Sequence, residues 1–530
     1  MVPCRRPCER WQVFVAALVA AWGFPAGAFQ LVEGDDLHVR WDTSVKYSAA
    51  ARLQGRSSAL VANPNTDDGD RNFGRGPISS RLDLLSELDA TRRNVGVRVS
   101  GAAWYDLIYD LRNDNDSPAT ANPVSVPHDR FTDATRRLHG RDVDLLDALA
   151  FASGHLGSAA VSLRVGRHTL LWGESLLLAT NGISYAQAPL DFVKALSVPG
   201  TQAKELFLPV GQISGQLRPT PSLSLAAYYQ FEWRKTRLPA VGSYFSSADL
   251  LDDGGERLFA GGPGEAFFRG RDLTASQGQW GVSARYRLER LNTELGLYWI
   301  WFHEKLPQLY LRPGAGLDPS RGQIGEFVLV YPEDVKLAGA SFATTVGGVA
   351  LAGEVHVRFN TPLASTPQVA APGQPADNGE HPLYAVGNTV HAQVSSVYVL
   401  PTLPLWSSAT VLAEIGWQRR LAVTRNAAAL DPTRDRYAFA FQMLFTPLWL
   451  QVLRDFDVSL PVSFGYSPAA KAPLPAFDAV HEGGSVSISA SAVYRKVWNA
   501  GLQLTYYFGS VDSQALKDRG FVSLNVQRTF

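Results

Sequence analysis

The chain is short of several things, and each shortage closes a functional class. Only two cysteines occur among 530 residues, Cys4 and Cys8, both ahead of the first apolar stretch. Beyond that stretch neither a disulfide framework nor a cysteine-ligated metal is available. Basic residues hold no excess, since 49 Lys+Arg face 49 Asp+Glu, so nothing stands ready to neutralise a nucleic-acid backbone. Charged residues make up 18%, against roughly 25% in an average soluble domain. No apolar run after residue 28 approaches the roughly 20 residues a spanning helix needs, which excludes helical membrane spans. No G-x-S-x-G elbow is present, and His303-Glu304 and His481-Glu482 lack the second His of a zinc-binding helix. Enzymatic activity, a cofactor and a metal centre are therefore not expected. Asp67, Asp68 and Asp70, or Asp114 and Asp116, offer loop carboxylates to calcium, but without the full spacing of a calcium-binding hand the favoured reading is a solvated acidic turn.

Aromatic residues, by contrast, are plentiful, with 13 Trp, 18 Tyr and 26 Phe. At the start, Arg5, Arg6 and Arg10 precede an apolar stretch from Trp11 to Phe24, followed by Pro25 and Ala26-Gly27-Ala28. A basic region, a short apolar core and a small-residue end predict a secretory signal peptide over 1–28, cleaved near Ala28.

A period of two takes over from there. Leu37, Val39, Trp41, Val45 and Tyr47 alternate with polar neighbours, as do Leu223 to Trp233, Leu351 to Phe359 and Phe456 to Tyr466. Alternate side chains of a strand point to opposite faces, so each run has one apolar and one polar face. The strands are about 9–14 residues long, suited to a tilted membrane crossing of about 9–11. Their apolar faces end in aromatic residues, as an interfacial girdle requires.

The breaks are the most informative feature. Long Gly/Pro/Asn/Asp-rich segments at 52–78, 110–142, 171–209, 235–277, 303–334, 361–387, 421–435, 467–484 and 510–519 alternate with tight turns. The turns are expected near Arg92-Arg93, Leu156-Gly157, Pro219 to Pro221, Glu289-Arg290, Gly347-Gly348, Pro401 to Trp406, Leu448 to Arg454 and Trp498-Asn499. This alternation predicts an all-β, transmembrane antiparallel β-barrel of about 18 strands over 29–530, with short periplasmic turns and long extracellular loops. Its place is the outer membrane of a Gram-negative bacterium. Val522, Leu524, Val526 and Phe530 share a face of the closing strand. A last strand ending in Phe is similar to the signal read by the barrel assembly machinery, from which Arg528 departs.

A barrel of that size is wide enough for an aqueous interior. The polar parity must line it, and it carries both signs: Arg98, Arg164, Glu232, Arg234, Glu354, His356, Arg358 and Glu414. The 171–209 segment is richer in apolar residues than the other long loops, with Phe192, Val193, Leu196, Leu206, Phe207 and Leu208. Either it folds into the barrel and narrows it, which is the favoured expectation, or it packs over the mouth. Arg167, His168, Trp172, Glu174, Lys204 and Glu205 are then constriction candidates beside the wall residues Glu232, Arg234, Glu354, His356 and Arg358.

The run Gly166-Arg167, Trp172-Gly173-Glu174, Pro199-Gly200, Lys204-Glu205 and Leu208-Pro209, with Tyr229 to Trp233 and Ser243-Tyr244-Phe245-Ser246, resembles the signature of a large family of Gram-negative outer-membrane proteins that carries a domain of unknown function. The resemblance spans the mature chain. Genes of that family often lie beside LolB-like lipid carriers and exporters of the resistance–nodulation–division type. This implies traffic in hydrophobic or lipid-like molecules, and a periplasmic lipid carrier as a partner. The expected function is passive passage of small hydrophobic, aromatic or lipid-like solutes. The alternative is a non-conducting partner of a carrier or export system, or a surface receptor or adhesin.

Overall fold

The computed structural model describes residues 29–530 apart from 35, 202–204, 262–263, 469 and 475–481. The expected signal segment and Lys204 lie outside the described residues. A short leading strand, Phe29–Glu33, pairs back on the first barrel strand. The barrel strands are β1 (Leu37–Arg52), β2 (Gly76–Arg92), β3 (Val95–Asp106), β4 (Arg141–Leu156), β5 (Ala159–His168) and β6 (Val210–Thr220). Then come β7 (Leu223–Gln230), β8 (Gln279–Leu288), β9 (Thr293–Phe302), β10 (Val335–Val346), β11 (Val349–Pro362) and β12 (Val386–Leu400). The circuit ends with β13 (Ser408–Arg425), β14 (Tyr437–Leu453), β15 (Phe456–Ser459 continued by Val462–Ser467), β16 (Gly483–Tyr494), β17 (Trp498–Phe508) and β18 (Phe521–Thr529). Each pairs antiparallel with its sequence neighbour, and β18 returns to β1 in the register Ser44↔Thr529 to Arg52↔Phe521. The sheet closes on itself, so no edge is left unpaired.

The wall follows from the alternation. On β11, Glu354, His356 and Arg358 are buried inside while Val355 and Phe359 stand exposed; on β13, Glu414 and Gln418 are inside and Ile415 outside. Leu84, Val97, Leu163, Leu297, Leu502 and Leu524 extend the exposed apolar surface around the outer wall. A belt of that kind is stable only against hydrocarbon.

Tight turns join one end of the barrel. Val346 and Val349 are linked by Gly347 (φ +58°) and Gly348 (φ +83°), the two left-handed positions that a two-residue hairpin demands. Two turns fall away from their expected places. β14 continues to Leu453, so the turn is Arg454-Asp455, and the last turn is Arg495 to Val497 rather than Trp498-Asn499. Asp455, Arg495 and Lys496 adopt positive φ without glycine, which no turn signal in the sequence announces. Strand lengths also range more widely than expected, from 8 residues in β7 to 18 in β13.

At the other end the long loops build structure of their own. Two of them, 231–278 and 303–334, contribute most of a five-stranded sheet made of Arg257–Phe259, Ala266–Arg269, Gln308–Asp318, Gln323–Val330 and Gln368–Val369. Tyr310, Val328 and Val330 of this sheet pack with Tyr384 and Val386 at the start of β12. A second cluster of Phe73, Tyr109, Phe131, Tyr244, Phe245 and Phe521 joins loops to the ends of the first and last strands.

Candidate functional site

The 169–209 segment departs from β5 and returns at β6, and its contacts lie on the inner wall. Apolar residues supply the first anchor. Trp172, Ile183, Tyr185 and Leu190 pack with Tyr228 of β7, Ile300 and Phe302 of β9, and Leu337 of β10. Trp172 is only 5% exposed, with its ring edge-on to Tyr228 at 5.1 Å. A helix Phe192–Ser197 follows, capped by Asp191, whose carboxylate accepts the Lys194 N–H at 2.9 Å.

Two wall carboxylates supply the second anchor. Glu414 on β13, 1% exposed, accepts the backbone N–H groups of Leu176 (3.2 Å), Leu177 (2.5 Å) and Leu178 (2.8 Å). Glu354 on β11 accepts those of Glu174 (2.5 Å) and Ile183 (2.7 Å), with Gln393 donating at 3.1 Å. A buried carboxylate needs such donors in place of water. The approach is close. Gly173 has φ +91°, and a Cβ there would come within 2.3 Å of Glu354 Oε2.

Cationic and imidazole groups complete the seat. Arg358 donates to the carbonyls of Thr180 (3.2 Å) and Gly182 (3.1 Å) and to His356 Nε2 (3.1 Å), and lies over the Tyr185 ring. His356 stacks on His391 with centroids 4.7 Å apart and planes 6° from parallel, and His391 Nδ1 is 2.9 Å from Asn181 Oδ1. Tyr185 donates to Glu304.

The roots of the segment are fixed separately. Arg167 pairs with Glu232, whose carboxylate also accepts the Gly211 N–H at 2.6 Å. Arg234 donates to the Pro209 carbonyl at 2.9 Å, and His168 lies 2.8 Å from Ser214 Oγ. Glu205 pairs with Lys194 at 3.5 Å, and Lys46 of β1 reaches the Pro199 carbonyl at 3.3 Å on the opposite wall.

The structure thus divides the residues nominated from sequence. Trp172, Glu354, His356 and Arg358 gather at the docked turn, whereas Arg167, His168, Glu232 and Arg234 secure the segment's ends. Glu174 places its carboxylate 4.0 Å from Arg285. Glu414, named from sequence only as one inward charge and not as a constriction candidate, seats three backbone N–H groups of the segment, yet on β13 it is one acid in an alternating run. Its role becomes visible only when residues 176–178 fold onto it.

Space remains on both sides of the segment. A cavity of about 580 Å³ lies against β2 to β5, and its lining includes Glu87, Arg98, Asp147, Arg164, Phe151 and Phe207 together with His168 and Glu205. Arg98 pairs with Asp89 at 2.6 Å, while Arg164 has no ion pair within 4 Å among the described residues. A second cavity of about 540 Å³ lies against the serine-rich inner faces of β15 to β18 and meets the segment at Gly200 and Thr201.

The sequence profile of the family described as "Protein of unknown function (DUF1302)" matches residues 11–530, and the chain belongs to that family. Among solved structures it is similar to OccAB1 of Acinetobacter baumannii, at 9% identity over 95% of this chain and 98% of that one, with a TM-score of 0.45. OpdK of Pseudomonas aeruginosa, crystallised with vanillate, shares 12% identity over 93% of this chain and 98% of that one, with a TM-score of 0.41. The outer membrane channel DcaP of Acinetobacter baumannii shares 9% over 96% of this chain and 100% of that one, with a TM-score of 0.39. No curated protein matches the chain.

Proposed function

We propose that this DUF1302-family barrel is an outer-membrane channel for passive passage of small solutes with a hydrophobic or aromatic body. One observation carries the reading: a closed 18-strand barrel holds an inward-docked segment that leaves a lined space of about 580 Å³ on one side. A wall with no purpose but anchorage has no need of a large interior. The lining mixes Leu85, Leu149, Phe151 and Phe207 with Arg98, Arg164, Glu87 and Asp147. Apolar surface takes up the body of a solute, and the arginine without an ion pair, Arg164, draws in a negative group. Mixed signs oppose strong selectivity for either ion sign.

In this reading the loop end faces outward and the tight turns face the periplasm. The last strand, ending at Phe530, is the handle for the barrel assembly machinery. Arg528 is accommodated there because its guanidinium lies over the rings of Trp498 (5.1 Å) and Phe530 (4.5 Å). The docked segment also gives the alternative a specific footing, since a lumen divided this firmly suits a non-conducting partner of a periplasmic lipid carrier.

Single-channel recording of residues 29–530 in a planar bilayer separates the two. Stable open steps, with liposome swelling faster for aromatic acids than for sugars of equal mass, are expected of the channel. A folded barrel that stays silent and admits neither solute overturns it.

A further inference from the structure

At the loop end, away from the lumen, lies a cluster that passage of solutes does not use. Carboxylate oxygens of Asp67, Asp68 and Asp249 all lie within 4.8 Å of one another, and all three residues are buried. Asp67 is paired by Arg71, and nearby Asp70 by Arg52 and Arg519. Asp68 and Asp249 have no ion pair within 4 Å among the described residues. Asp249, fully buried at 0% exposure, accepts the Asp68 N–H at 3.0 Å through Oδ2, while its Oδ1 meets no donor. Asp68 accepts the Asn122 N–H at 2.9 Å and Asn115 Nδ2 at 3.3 Å, and Asn122 Oδ1 likewise meets no donor. Arg257, the basic residue whose field reaches Asp68, donates to the Ala121 carbonyl and lies over the Phe259 ring instead.

Two neighbouring carboxylates do not stay buried as anions without a counter-charge. Every donor atom here is oxygen, which selects a hard cation. Calcium accepts a cage of protein oxygens at about 2.3–2.6 Å in flexible geometry, which suits buried oxygens lying within 4.8 Å of one another, whereas magnesium keeps several of its waters and rarely takes an all-protein site. The surroundings are built for close approach. A Cβ on Gly69 would come within 2.6 Å of the Ser246 carbonyl and 2.8 Å of the Ser243 carbonyl, so the first and fourth long loops meet backbone to backbone. That stretch is the Ser243-Tyr244-Phe245-Ser246 run singled out in the sequence.

We propose that Asp67, Asp68 and Asp249 form a calcium-binding site that fastens loop 53–75 to loop 231–278, with Asn122 of loop 107–140 beside it. The inference does not rest on the channel reading, because a silent barrel would hold the ion equally well.

The test uses residues 29–530 refolded without lipopolysaccharide and stripped with chelator. Equilibrium dialysis against radioactive calcium is expected to show one saturable ion per chain with a Kd of roughly 10⁻⁵ to 10⁻³ M. Asp249→Asn and Asp68→Asn should each weaken it about tenfold or more, as loss of a charged oxygen ligand does. Calcium should also slow proteolysis of loop 53–75 in the unaltered protein. Folding of each variant is read from its heat-modifiable gel mobility, and the binding and proteolysis of the unaltered protein decide the matter if a variant does not fold. Absence of saturable binding, which means that the carboxyls share a proton instead, overturns the proposal. So does binding that both folded variants retain, or binding that leaves the loop equally cleavable.

Discussion

Releasing the inner segment from its two wall carboxylates is the perturbation that bears most directly on the lumen. In Glu414→Gln the side chain keeps its size and one carbonyl oxygen, but an amide N–H now faces the N–H groups of Leu176, Leu177 and Leu178. Hydrogen bonds to a charged acceptor contribute about 1.5–3 kcal/mol each. With one acceptor retained and lumen water able to replace part of the rest, docking weakens by about 2–4 kcal/mol. That shifts the ratio of docked to released segment about thirty- to nearly a thousandfold, at 1.4 kcal/mol per factor of ten. A single release leaves the Glu354 anchor and its two N–H bonds in place, so Glu354→Gln/Glu414→Gln carries the full effect. The assay is single-channel recording in parallel with limited proteolysis across 169–209. The double variant is expected to show larger or noisier conductance steps, and cleavage that the unaltered barrel resists. A folded double variant with unchanged conductance and an uncut segment would refute the claim that these carboxylates hold the segment across the lumen.

Three further outcomes follow from the geometry. Gly173→Ala places a methyl group against Glu354 Oε2 at a backbone angle that disfavours any side chain, so it should mimic Glu354→Gln in proteolysis while leaving the heat-modifiable barrel intact. Trp172→Ala empties the centre of the apolar anchor and should weaken docking by about 3–5 kcal/mol, seen as loss of near-UV dichroism before the strands melt. Burial, then the charges of Arg81 and Arg237, push the His139 imidazole down to about 3, and its Nε2 accepts the Ala240 N–H at 3.0 Å. A depressed histidine favours the folded loops fully above its unfolded value of about 6.5, and that contribution is lost as pH falls towards 3. At pH 5 the contact between 136–140 and 238–242 should weaken by about 2 kcal/mol, measured as faster amide exchange. His139→Gln should abolish the difference between pH 7 and pH 5.

The strand circuit was legible because lipid and lumen impose opposite demands on alternate residues. The loop-end sheet was not, since strands such as Gln368–Val369 and Arg257–Phe259 are too short to show a period and pair with segments far away in sequence. Nor could alternation separate an acid facing water from one facing backbone donors. Glu414 and Arg98 look alike as inward charges, yet one seats three N–H groups and the other pairs across the wall with Asp89. Trp172, Glu354 and Arg358 stood out by composition and position. What each of them touches depended on the path of a 40-residue segment that follows neither a helical nor a strand period.

The seam between β1 and β18 sets a clock on assembly. Ser44 and Thr529 share a hydrogen bond at 2.8 Å across 485 residues of chain. At about 5–20 residues per second, synthesis takes about 25–100 s to deliver the second partner after the first. For all of that time β1 has an unpaired edge and an apolar face with nothing to lie against, the two features that invite aggregation. A chain cut short anywhere before Phe521 never closes, however well its other hairpins form. Closure must therefore wait until translation ends, and until then the unpaired edge of β1 has to be kept from other partners.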